Sequence, residues 1–151
     1  MTAVLVDIAE AVTDLLNGMT LSQEFSAVRC YVPNHKVTDP SLKLYVVPAD
    51  QSVDLEAGTR RVSQDTYTVF VGVYKQVARD VKGQVVVADV DRLFGFVQEL
   101  IDAVKSFDVL PTYQECQLVG IDQYGRAFDV KSLESLGTFA AIMALEYQLF
   151  R

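Results

Sequence analysis

Residues 66–74 read TYTVFVGVY, and their unbroken alternation organises the rest of the chain. Tyr67, Val69, Val71 and Val73 fall on one face of an extended segment; Thr66, Thr68, Phe70, Gly72 and Tyr74 fall on the other. Apolar groups on both faces predict a central strand of a sheet. Gly72, interior to the run, predicts a bulge or a close backbone approach.

Toward the N-terminus, residues 49–62 turn polar, with Asp50, Asp54, Glu56, Gly58, Arg60 and Arg61. That length predicts a long hairpin tip or an exposed loop, either functional or disordered when free. Before it, Leu42–Val47 reads as a strand closed by Pro48, and Phe25–Val32 as an alternating strand broken by Pro33-Asn34. Ala3–Asn17 is an amphipathic helix: Val4, Leu5, Ile8, Val12, Leu15 and Leu16 share one face, and Asp7, Glu10 and Asp14 the other. Asp7 and Glu10 sit toward the positive end of its dipole, and Asn17-Gly18 predicts a left-handed stop.

Toward the C-terminus, Lys75–Gly83 leans basic, and Asp89 is the expected N-cap of a second helix running to Lys105 or Ser106. Its stripe is Val90, Leu93, Phe94, Val97, Leu100, Ile101 and Val104, interrupted by Gly95, which costs up to about 1 kcal/mol relative to alanine. Beyond Pro111, Glu115–Ile121 alternates, residues 122–137 form a polar connection holding Tyr124-Gly125, and Thr138–Phe150 closes the chain. The alanines of that last run suit a helix, yet Phe139, Ala141, Met143, Leu145, Tyr147 and Leu149 alternate throughout, so a strand is expected. The sum is an α+β fold: a mixed or antiparallel sheet of about five strands with two amphipathic helices packed on one face.

Composition narrows the function. The 151 residues suit one domain, 1–151, and half of them are hydrophobic, which excludes a disordered chain. Thirteen basic against twenty acidic residues leave a net charge of −7, which argues against gripping nucleic acid through its phosphates. Cys30 and Cys116 lie in alternating runs and read as free buried thiols in a reducing compartment. With no leader-like start and no apolar run of 18 residues, the expectation is a soluble cytoplasmic protein without membrane contact.

No constellation for chemistry stands out: no catalytic residue, cofactor or metal ligand is assigned, and no enzymatic activity is expected. His35 stands alone in a turn, the two thiols have no activating neighbour, and no phosphate-binding glycine loop or nucleophile elbow occurs. Asp89 reads as a cap, and Asp91 and Asp102 as a solvated face. Arg60, Arg61, Lys75, Arg79 and Lys82 make the middle of the chain its most basic region. They read as a solvated loop, or as a seam facing Asp50, Asp54 and Glu56 of a neighbouring copy. A competing class, a small-ligand binder or enzyme, would line a pocket with Arg29, Tyr31, Tyr45 and Tyr67.

The order of elements, together with the opening helix Val4–Leu16, the polar insertion before TYTVFVGVY, the Asp89-led helix and the tail DVKSLESLGTFAAIMALEYQLFR, resembles the tail-terminator and tail-completion proteins of long-tailed bacteriophages. The resemblance covers nearly the whole length. It implies a homo-oligomeric ring, typically a hexamer, at the head-proximal end of a virion tail, assembled in the host cytoplasm. The ring would end polymerisation of the tail tube protein and dock a neck or head-completion protein. DNA would pass its lumen without specific binding. A head-closure or adaptor protein of the neck is the nearest rival reading. The loops 49–62 and 122–136, with Tyr124 and Arg126 in the second, are the expected contacts, and the family supplies no catalytic residue.

Overall fold

The computed structural model describes residues 3–33, 40–59, 62–123, 133 and 137–150. Within them the order is α1 (Val4–Asn17), β1 (Ser26–Arg29), β2 (Lys43–Thr59), β3 (Val62–Gln76), α2 (Val87–Lys105), β4 (Val109–Leu110), β5 (Tyr113–Gln123) and β6 (Thr138–Phe150). The six strands form one mixed sheet curled into a half-barrel, in the order β1-β2-β3-β6-β5-β4. β1 lies parallel to β2, and every other pair is antiparallel.

TYTVFVGVY is the centre of this sheet. Val71 is flanked by Val46 and Met143, and Val69 by Pro48 and Leu145, so β3 has a partner on each side. Opposite residues of a ladder share a face. The inner face therefore carries Leu44, Val46, Val69, Val71, Val73, Ala141, Met143 and Leu145, all buried, and both helices close over it. α1 contributes Ile8, Val12 and Leu16 at full burial, each stabilising by about 1.5–3 kcal/mol. Asn17 ends that helix and ties it to the sheet: its side chain donates to the Ala27 carbonyl and accepts from the Ala27 N–H, both at 2.9 Å. Gly18 follows with φ −84°, a right-handed stop where a left-handed one was expected.

Four other expectations need correction. β2 does not close at Pro48 but runs to Thr59 and forms a long hairpin with β3. The reason lies in the edges. The Val46 carbonyl accepts the Cys30 N–H, so even-numbered positions of β2 aim at the β1 side, and β1 has ended before Pro48. A missing N–H facing an empty edge costs no ladder bond. Next, α2 begins at Val87, not Asp89: Val85 bridges Arg79 and the Val86 N–H donates to Ala78, and the Val86 carbonyl then accepts from Asp89 and Val90. Asp89 is a first-turn acid beside the dipole's positive end, not a cap. Gly72 makes no bulge, since its register with Tyr45 and Ile142 is unbroken; a Cβ there would stand 2.6 Å from the Tyr74 ring. Finally, β1 is only four residues long where Phe25–Val32 was expected; the α+β sheet with two helices is as expected, with six strands against about five, β4 being the added one.

Candidate assembly surface

Among the described residues no helix covers the other face of the sheet, and register maps it row by row. At the end nearest α2, Lys43, Tyr74 and Ala140 stand in one row and Tyr45 and Ile142 in the next. The Tyr45 and Tyr74 rings meet edge-on at 5.3 Å, the arrangement that Gly72 makes room for. Then come Val47, Phe70, Ala144 and Asp122. Beyond these the face turns polar: Asp50, Thr68 and Glu146, then Ser52, Thr66, Gln148 and Gln117, then Asp54 and Gln64. Among the described residues of these polar rows there is no cation, while Asp50, Asp54 and Glu146 supply carboxylates and Asp122 stands one row below.

Two rims of the sheet are open among the described residues. β1 pairs only Lys43–Val46 of β2, so the rest of β2 lacks a described neighbour on that side. β4 meets β5 only through Val109 and Leu110. Val53 and Leu55 on the first rim and Val119 at the bulge of the second are exposed apolar side chains. A bare strand edge is a template for pairing with another chain unless charge, proline or a bulge blunts it.

The anticipated interface residues separate into two groups. Asp50 and Asp54 project from the distal half of the hairpin, where the backbone of Glu56 also lies in β2. Lys75 and Arg79 lie at the opposite end of the sheet, joined there by Arg92 of α2, which sequence reasoning had not singled out. A seam between these two groups within one subunit is thus ruled out by the register. Arg60, Arg61, Tyr124 and Arg126 lie outside the described residues, as does His35. Arg29, Tyr31, Tyr45 and Tyr67 do not converge on a pocket. Tyr67 is fully buried on the inner face and donates to Asp65 at 3.2 Å, Tyr45 is on the outer face, and Tyr31 is exposed beneath the Arg29 guanidinium, 5.5 Å from its ring centroid. Arg29 Nε donates to Glu10 at 2.6 Å, and this bond, with Tyr31, raises the guanidinium above its ordinary pKa.

Both thiols are free; burial pushes Cys30 up and Cys116 up to about 12, the latter helped by Glu115. No described helix is long and apolar enough to cross a membrane.

This is an α+β half-barrel with helices on one face and, among the described residues, none on the other. The sheath/tube terminator of an extracellular contractile injection system (PVC), solved by cryo-EM in the extended state, has a similar fold, with a TM-score of 0.54 and 10% sequence identity. The match covers 100% of this chain and 58% of that one, so the chain spans little more than half the length of its structural neighbour. No protein-family profile and no curated sequence matches the chain.

Proposed function

We propose that this chain is a structural protein of a phage virion, without catalytic activity, that caps the head-proximal end of a tail tube as a homo-oligomeric ring. One observation carries the reading: a sheet face that no described helix covers, whose distal rows carry hydroxyl, amide and carboxylate side chains, bounded by two rims that are open among the described residues. Rims of that kind let a sheet continue from subunit to subunit, and a head-to-tail contact closes into a ring when its rotation permits. The acidic rows would then face the lumen and repel DNA phosphates, so that the genome passes without sticking. The terminator fold of the structural neighbour supports the same reading. The ring, hexameric by the resemblance of the sequence, would stop tube growth and present its other side to a neck or head-completion protein.

Purified protein mixed with polymerising tail tubes tests this. The expected outcome is tubes of limited length with extra density at one end in negative-stain micrographs. Tubes of unchanged length with bare ends would overturn it, and would favour a neck adaptor if the protein bound a head-completion partner instead.

A further inference from the structure

Lys75, Arg79 and Arg92 come from β3, from the connection after it and from α2, and they line two adjoining hollows that share Lys75 and Asp89. The larger, a cleft of about 520 Å³, is lined by Pro40, Lys75, Arg79, Asp89 and Gly137 among others. It adjoins a smaller hollow of about 80 Å³ that Gln23, Arg92 and Leu93 help to line. Two of the three cations are held in place by hydrogen bonds. Lys75 Nζ donates to Gln23 at 3.2 Å, and Arg79 donates to the Gly83 carbonyl at 3.0 Å. Gly137, at φ +65°, leaves the Arg79 guanidinium room that a Cβ would invade at 3.1 Å. Arg92 stands 3.6 Å from Asp89, a loose pair that leaves its side chain 73% exposed. The start of α2 borders the same space with no side-chain cap, adding the positive end of a dipole. Beside the wall, Thr138 is paired with Gln76 and follows Gly137; its hydroxyl is buried without a hydrogen-bond partner.

We propose that this cleft docks an acidic peptide segment of a partner protein, its carboxylates seated between Lys75, Arg79 and Arg92. Planar guanidinium groups match a carboxylate with two parallel hydrogen bonds, whereas a phosphate backbone calls for a longer basic stripe. The chain's net charge of −7 weighs against a long polyanion such as nucleic acid, and Asp89 on the wall confines a peptide's carboxylates to the Lys75, Arg79 and Arg92 side. The wall also has exposed apolar groups, Pro40 and Ala78, suited to a peptide's aliphatic stems.

The test is fluorescence anisotropy of a labelled tetraglutamate peptide against the full chain at low salt. The double variant K75Q/R92Q should weaken binding about tenfold or more, the scale of a lost charge-assisted contact. R29Q/K105Q, which removes the same charge elsewhere, should leave it unchanged, and near-UV circular dichroism should show all three proteins folded alike. No binding by the parent chain, equal loss in both variants, or equal competition by inorganic phosphate or a DNA duplex would each overturn the proposal. The cleft and the capping role fail separately: a chain that binds the peptide but never caps tubes sinks only the latter. If K75Q/R92Q capped tubes as the parent does yet lost the peptide, both would stand.

Discussion

Cys116 and Tyr147 show what burial does to single groups here. Both are fully buried on neighbouring strands, and the Tyr147 hydroxyl has no hydrogen-bond partner. Desolvation disfavours the charged form of each, so the thiol is held at about 12 and the phenol is also raised. A pKa raised on folding means that the native state keeps its proton where the unfolded chain has begun to release it, near 9.0 for the thiol. Stability from this source is complete below that value and is lost as pH climbs toward 12. We therefore expect urea midpoints to hold steady to about pH 9 and then fall, with a shallower fall in C116A. A slope unaltered by that substitution would assign the alkaline loss elsewhere. The same burial predicts thiol reactivity, because only the thiolate attacks. At pH 8 Cys30, half-buried at the end of β1, should react with a disulfide reagent in the native protein, and Cys116 only after unfolding.

Gly95 marks a weakness in α2 at the scale of the element. A Cβ built there meets nothing within 4 Å, so G95A should remove the backbone-entropy cost without a clash and stabilise by up to about 1 kcal/mol. Thermal unfolding would read this as a raised midpoint; a lowered one would mean that the helix is bent or packed at that position. The stripe of α2 was legible because its period is helical, although Phe96 was missed. It is drawn into the core by an edge-on contact with Phe25 at 5.5 Å, which lies far away in sequence. β3 and β6 were legible for the same kind of reason: alternation of period two survives even the helix-favouring alanines of residues 138–150. β2 was cut short at Pro48 because a sequence cannot show that the strand becomes an edge there. β4, two residues long, is too short to leave any period.

At the scale of the whole molecule, the sequence named charged residues as expected contacts but could not place them relative to one another. Asp50 and Asp54 against Lys75 and Arg79 look like partners when read as one basic and one acidic stretch. The hairpin register places them at opposite ends of one sheet, so they could meet only between copies, and folding alone brings Arg92 to the basic end. One of the two rims open among the described residues is that of β2, which β1 leaves uncovered beyond Val46. Val53 and Leu55 are 51% and 75% exposed on it, apolar side chains on an open strand where charge would normally guard against pairing. If that rim joins subunits, placing charge on it should break the ring and spare the fold, because neither side chain belongs to the core cluster. Sedimentation of V53K/L55K should then give the 16.8 kDa monomer, while the parent chain sediments as a defined multiple. Surface substitutions of this kind change subunit stability by no more than about 0.5 kcal/mol, so thermal unfolding at a dilution where both proteins are monomeric should coincide. A variant that keeps the parent's ring mass would release this rim from the assembly and shift the contact to the β5 side, where Val119 is the exposed apolar group.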